Sequence, residues 1–281
     1  MKIVITGGNG LVGRYLSQIL HNEKPFILSH KICDIADFFT LKRLLFKIKP
    51  EIIFHLAAFT NVDLCESDIV TAFKTNVSGT NNIAILAGMI QTYVIYVSTD
   101  FVFSGRKKTP YKETDEPEPL SIYGRTKLEG EQIISKNCDK YCIIRTSRIF
   151  GRNGENFASS LPDKLKNKGK IMITKDVISS PTYAKDLAIA LSEISKKKFT
   201  GTIHFCNSGF CSWYEYGLYI CEKLGYDSSY LIPVSIKNFP DSTAKRPCFS
   251  VLDTSLFTSY FYKPRSWNEA LTEYLMYEYK M

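Results

Sequence analysis

Tyr123 stands four residues before Lys127 in the stretch "SIYGRTKLEG". Positions i and i+4 lie on one helix face, so the phenol and the ammonium become neighbours. A nearby positive charge favours phenolate and lowers a group that ordinarily titrates at about 10. Tyr123 is therefore expected to exchange a proton with a substrate oxygen near neutral pH. The spacing alone does not single it out. The chain has 17 tyrosines, and "YICEK" places Tyr219 four residues before Lys223.

Context separates the two pairs. "YVIYVSTDFVF" reads as a buried strand ending in Ser98, Thr99 and Asp100. In open parallel sheets, ligands bind beyond the carboxyl ends of the strands. The Thr99 hydroxyl is placed there to hold a reacting carbonyl oxygen. Successive strand residues face opposite ways, so Ser98 and Thr99 are not expected to share the site. Tyr123 follows shortly and leads a helix. Tyr219 has no such neighbours, and its surroundings, "WYEYGLYI", read as aromatics for packing.

A second device opens the chain. "TGGNGLVG" carries Gly7, Gly10 and Gly13 between a strand and a helix. Glycines there allow a tight turn, close approach of the backbone to a pyrophosphate, and close helix–strand packing. The helix N-terminus offers free N–H groups and the positive end of a dipole. An NAD site would show an acid at the end of the second strand, for the ribose 2′-hydroxyl. Here "ILSHKICD" has Ser29, His30 and Lys31 instead. Lys31 or His30 suits a 2′-phosphate, which points to NADPH, with NADH as the alternative. Asp34 comes later and is expected near the adenine, or as a local turn cap.

The elements that must position these residues alternate. "KIVIT", "PFILS", "EIIFHLAA", "YVIYVS" and "YCIIRTS" read as strands. "LVGRYLSQILHN", "FFTLKRLLFKI", a long helix over Ser67 to Met89, and the Tyr123 stretch separate them. Alternation with continuously apolar strands predicts an α/β fold: a Rossmann-like, doubly wound parallel sheet. After "IFGRNG" the rhythm changes, although "SSPTYAKDLAIALSEI" and "GTIHFCN" read as one more helix and strand of the sheet. The expected division is a dinucleotide-binding domain over 1–151 plus about 179–207, and a smaller, interleaved substrate-binding lobe over 152–178 plus 208–281.

Composition excludes several classes. The 281 residues are 44% hydrophobic, enough for a sizeable core. "KIVITGGNG" is not preceded by a basic and apolar leader, and no apolar run approaches the roughly 20 residues of a membrane span. A soluble cytoplasmic protein is expected. The eight cysteines form no Cys-x-x-Cys, so neither a zinc site nor any other metal is expected. The charge of +8 is spread along the chain, which suits small anions better than nucleic acid.

Several stretches together resemble the extended short-chain dehydrogenase/reductases, and within them the dTDP-4-dehydrorhamnose reductases. These are "HLAAFTNVDLCE", "VSTDFVFSG", "YGRTKLEGE", "NFASSL", "SPTYAKDLA", "GTIHFCNSGFCSWYEY" and "RPCFSVLDTSLF", in that order. The resemblance implies Thr99, Tyr123 and Lys127 as the catalytic set. It implies Gly10, Leu11 and Val12 at the pyrophosphate, Asp34 and Ile35 near the adenine, and Ala57, Ala58 and Phe59 along the cofactor. It implies Thr99 and Asp100 at the sugar, and Arg246 at the nucleotide diphosphate. Asp63 and Glu66 could cap the long helix, His55 reads as a buried strand histidine, and Asn76 could stitch helix to loop. Phe101 fills the place of the dehydratases' glutamate, which favours simple reduction. Arg148 stands where many of these reductases have tryptophan, suggesting a contact to the diphosphate, a different sugar, or a side chain in solvent.

The implied activity is NADPH-dependent reduction of the 4-keto group of a dTDP-4-dehydro-6-deoxyhexose, giving dTDP-L-rhamnose. The implied partner is the dTDP-linked 4-keto sugar, with no nucleic acid and no membrane, and a homodimer is left open. The rivals are another sugar-nucleotide epimerase or reductase, and a non-catalytic regulatory subunit. Three substitutions follow. Tyr123→Phe removes only the proton donor and nearly abolishes reduction, whereas Tyr219→Phe stays within a few-fold; equal losses would overturn the choice between the pairs. Lys31→Asp repels a 2′-phosphate and shifts the ratio of NADPH to NADH turnover toward NADH.

Overall fold

The computed structural model describes residues 1–154, 156–167, 169–238 and 243–279. Six strands form one parallel sheet: β1 (Ile3–Thr6), β2 (Phe26–Leu28), β3 (Ile52–His55), β4 (Tyr93–Thr99), β5 (Tyr141–Thr146) and, later in the chain, β10 (Gly201–His204). Their order is β10-β5-β4-β3-β1-β2. The winding direction therefore reverses between β1 and β3, where such sheets open a crevice at their carboxyl ends.

Side-chain alternation explains the two covered faces. Ile3, Ile5, Ile52, Phe54, Ile95 and Ile144 join one buried cluster. Val4, Ile53, Val94, Tyr96 and Ile143, each next in sequence, join another. Helix α1 (Leu11–Ile19) covers the first face, packed along α8 (Ala184–Lys197). Helices α2 (Phe38–Ile48), α5 (Thr80–Met89) and α6 (Ile122–Asn137) cover the second. Each fully buried Leu, Ile or Phe contributes about 1.5–3 kcal/mol, which is why a strand slipped by one residue would be untenable here.

The chain between β3 and β4 departs from the single helix expected over Ser67 to Met89. A separate short helix, α3 (Val62–Ser67), comes first, capped by Asn61. Then α4 (Ile69–Phe73) runs through a π-helical turn, Lys74–Gly79, into α5. Such wide turns accommodate one extra residue within a helix. This one carries Asn76, which is 1% exposed. Its side chain accepts from Phe59 N (2.7 Å) and donates to Phe59 O and Thr126 Oγ1, both at 3.0 Å. Asn76 thus ties the loop after β3 to α6.

Past β5 the chain leaves the sheet and returns. It forms β6 (Ile149–Phe150), α7 (Phe157–Lys166), β7 (Ile171–Thr174), β8 (Ile178–Ser179) and β9 (Thr182–Tyr183) before α8 and β10. It then forms β11 (Cys211–Ser212), α9 (Trp213–Leu224), β12 (Leu231–Val234), α10 (Ser255–Tyr260) and α11 (Trp267–Tyr277). The short strands pair as β6 with β9, β8 with β11, and β7 with β12. Among the described residues, no helix is long and apolar enough to cross a membrane. The Asn76 stitch is testable. Asn76→Ala strips partners from the Phe59 amide and carbonyl and is expected to cost about 1–3 kcal/mol, read as a lower urea midpoint; an unchanged midpoint would show that the loop is held otherwise.

Candidate active site

The glycine turn sits at the mouth of the crevice. Gly7 has φ +66°, and a Cβ there would lie 2.7 Å from Ala57 N. A Cβ on Gly13 would lie 2.5 Å from Gly7 O. Only glycine allows these approaches, and they bring the first turn of α1 against the loop after β3. Gly10 is exposed and caps α1 without a side chain, so the first N–H groups of the helix, at Leu11 and Val12, face outward. This arrangement fits a pyrophosphate. Ala57 N is fixed by Thr6 Oγ1 at 3.2 Å, and Ala58 and Phe59 follow, partly exposed.

The ribose end is mixed. Lys31 is exposed in the turn beyond β2, with no acid replacing it. Asp34 accepts from Ala36 N (3.0 Å) and pairs with Lys74 (3.0 Å), so its carboxylate acts as a local turn cap. The Ile35 side chain is buried in the second core cluster, against Gly79. Any contact it offers a ligand runs through its backbone.

Thr99, Asp100 and Tyr123 converge at the end of β4. A Cβ on Gly124 would lie 2.2 Å from Phe101 O, so glycine lets α6 start directly on the turn after β4. Ser121 caps that helix through Gly124 N (3.2 Å), and Glu66 accepts from Ile122 N (2.8 Å). The Tyr123 phenol stands beside the Thr99 hydroxyl, and the Phe101 ring meets the Tyr123 ring edge-on at 5.8 Å. Ser98 turns to the other face, where it donates to Glu131.

Lys127 is 3% exposed, with its Nζ 4.0 Å from the centre of the Tyr96 ring. Burial pulls it down to about 7, opposed by the charge of Glu131. The expected lowering of the Tyr123 phenol is not found. Burial pushes that group above its ordinary value; the Thr99 hydrogen bond opposes this and the Asp100 charge adds to it. With the ammonium over Tyr96, desolvation dominates, and Tyr123 is an O–H donor at neutral pH.

Five other residues have partners that the sequence did not announce. The Asp100 carboxylate is turned inward, 2% exposed, and accepts from Thr99 (3.2 Å), Ser147 (2.7 Å) and Ser250 (2.5 Å). Arg246 is held by Asp63, with Nη2 2.5 Å from Oδ2 and Nη1 3.2 Å from Oδ1. Asp63 also accepts from Thr243 Oγ1 and Ala244 N, so Asp63 and Glu66 do not cap the long helix but grip a distant loop and α6. Arg148 is not in solvent. Half-buried at φ +43°, it donates to Cys211 O (3.1 Å) and Val177 O (3.4 Å) and stacks 4.0 Å from the Trp213 ring.

The second pair is a packing feature. Tyr219 bonds Thr272 Oγ1 (2.8 Å) and Asn268 O (3.3 Å) and packs on Trp267, joining α9 to α11. His55 is fully buried between Thr6 (2.8 Å) and Thr80 (3.0 Å), and burial, then the Lys127 charge, lowers it to about 3. Ser147, Ser250, Trp213, Glu131 and Arg145 were not singled out from sequence. An arginine inside the apolar run "YCIIRTS" was the one visible signal.

Known proteins resemble this chain along nearly its whole length. The family model described as RmlD substrate binding domain matches residues 1–279. The chain is 34% identical to the spore coat polysaccharide biosynthesis protein SpsK of Bacillus subtilis, covering 98% of this chain and 96% of that protein. It is 32% identical to the dTDP-4-dehydrorhamnose reductase of Aggregatibacter actinomycetemcomitans, over 96% and 97% of the two chains. A crystal structure of dTDP-4-dehydrorhamnose reductase from Bacillus anthracis in complex with NADP superimposes with a TM-score of 0.94 at 32% identity, over 98% and 99% of the chains. Matched over residues 1–279, the chain belongs to the RmlD substrate binding domain family.

Proposed function

We propose that the protein reduces the 4-keto group of a dTDP-4-dehydro-6-deoxyhexose with NADPH, dTDP-4-dehydrorhamnose being the expected substrate and dTDP-L-rhamnose the product. The observation that carries this reading is the assembly of Thr99 and Tyr123 at the end of β4, with Lys127 one turn behind. Bound NADPH supplies the hydride to the sugar C4. The residues of this chain do the rest. Gly10, Leu11 and Val12 present α1 to the pyrophosphate, and Lys31 faces the 2′-phosphate. Thr99, whose single O–H otherwise goes to Asp100, turns it to the carbonyl oxygen. Tyr123, protonated at neutral pH, gives its proton to the oxygen that the hydride leaves negative. Lys127 holds the nicotinamide ribose and favours the resulting phenolate.

The side chain at 101 is a phenylalanine packed on Tyr123, which offers no carboxylate for dehydration. Asp100 serves the sugar indirectly, by orienting Thr99. Arg246, pre-oriented by Asp63, is assigned to the diphosphate. The chain divides into a dinucleotide-binding part, 1–151 plus about 179–207, and a substrate lobe formed by the rest. A cytoplasmic setting accompanies this reading, supported by eight free cysteines. The complete catalytic set argues against a purely regulatory subunit.

The decisive experiment incubates the protein with nucleotide-linked 4-keto sugars, follows NADPH absorbance and identifies the product. No turnover with any 4-keto sugar would overturn the reading. Arg148 supplies a finer test. It links β6 to the carbonyls beside β8 and β11, so its loss loosens the floor of the sugar site rather than the chemistry. Arg148→Ala is expected to raise KM for the sugar nucleotide several-fold at nearly constant kcat. A collapse of kcat at constant KM would instead place the guanidinium at the reacting carbonyl.

A further inference from the structure

Behind Lys127 lies an ion pair that the chemistry above does not use. Glu131 and Arg145 are 4% and 5% exposed. Arg145 Nη2 lies 2.7 Å from Glu131 Oε2, and its Nε 3.0 Å from Oε1. Ser98 Oγ donates to the same Oε1 at 2.5 Å. A buried pair of this kind is no simple stabiliser, because desolvation offsets much of its attraction. Its position is the informative feature. Glu131 follows Lys127 by four residues on α6, which is the spacing at which a helix joins an acid to a base. Yet the ion pair runs from Glu131 to Arg145, and among the described residues none joins Glu131 to Lys127.

We propose that Arg145 and Ser98 are positioning residues for Lys127: by occupying the Glu131 carboxylate they keep it from capturing the ammonium one turn away. Lys127 then stays over the Tyr96 ring. This rests on the proposed role of Lys127 as the partner of Tyr123. A captured Lys127 would be drawn along the helix toward β5, away from the crevice.

The groups facing Lys127 define what a titration would read. From α6 this is Glu131; from β4, Tyr96; and from β3, His55; Ser98 and Arg145 act on it through the Glu131 carboxylate. His55 is held neutral by burial, and burial keeps Tyr96 and Tyr123 protonated. Lys127 is therefore the group that titrates at about 7, and Glu131 is the charge that raises it. Loss of its proton sets an alkaline limb on kcat/KM. Removing the Glu131 charge moves that limb to lower pH. Freeing Glu131 to pair with Lys127 moves it to higher pH.

Four variants test the proposal: Tyr123→Phe, Arg145→Met, Glu131→Gln and the double variant Glu131→Gln/Arg145→Met. Arg145→Met is expected to lower kcat by about 10- to 100-fold, weaken NADPH binding and shift the alkaline limb upward. The double variant carries no carboxylate to capture Lys127 and is expected to regain most of the lost kcat and NADPH affinity. Glu131→Gln alone shifts the limb downward. Lysine NMR on the unliganded proteins reads the same shifts without turnover, and thermal unfolding separates them from loss of fold. If Arg145→Met does not fold, the direction of the Glu131→Gln shift decides. A double variant as impaired as Arg145→Met, or a limb unmoved in Glu131→Gln, overturns the proposal and leaves the pair a core feature. Full activity in Tyr123→Phe would overturn the catalytic reading itself, and the proposal with it.

Discussion

A carboxylate removed from water must find donors, and much of this site follows from how Asp100 finds them. Its donors come from three separate parts of the chain: Thr99 at the end of β4, Ser147 just past β5, and Ser250 in the segment before α10. Each gives a hydroxyl, so one buried charge fixes two strand ends and a remote loop in register. The same loop pairs by backbone with Ile178 and with Tyr111. The Thr99 side chain, which the proposed chemistry uses, is thereby positioned from the far end of the sequence.

The electrostatics of the site are governed by desolvation more than by charge pairing. Lys127 and Tyr123 are both pushed toward their neutral forms, by the same loss of water. For the Tyr123 phenol this is the direction that a reduction needs. A neutral phenol is a donor ready before hydride arrives, and the oxygen it protonates gains its charge only during the step. An enzyme running mainly in the oxidative direction would need the opposite bias.

How much could be read from the chain alone depended on range. The six strands of the sheet were legible because each is a short apolar run closed by glycine, proline or a polar residue. Tyr123 and Lys127 were legible because helix geometry relates them locally. Helix α3 was not, since six residues, half of them polar, are too few to carry periodicity, and the π-turn was not, since one extra residue leaves composition unchanged. Arg246 was noticed, but its partner Asp63 is 183 positions away, and nothing local announces it. The Tyr123 shift was misjudged for a related reason. Spacing places the ammonium nearby, but only packing shows that it faces Tyr96.

The last helix bears on the first. Tyr15 on α1 accepts from Arg152 N and donates to Glu278, just beyond α11. Helix α1 also rests on α8, and the sheet gains its edge strand β10 only at residue 201. During synthesis, the glycine turn and its helix therefore emerge early but remain half covered until nearly the whole chain is available. Contacts of such long sequence separation slow folding and leave apolar surface open meanwhile. The sheet and its covering helices are thus a unit in space but not on the ribosome: they close only when the residues around Glu278 arrive.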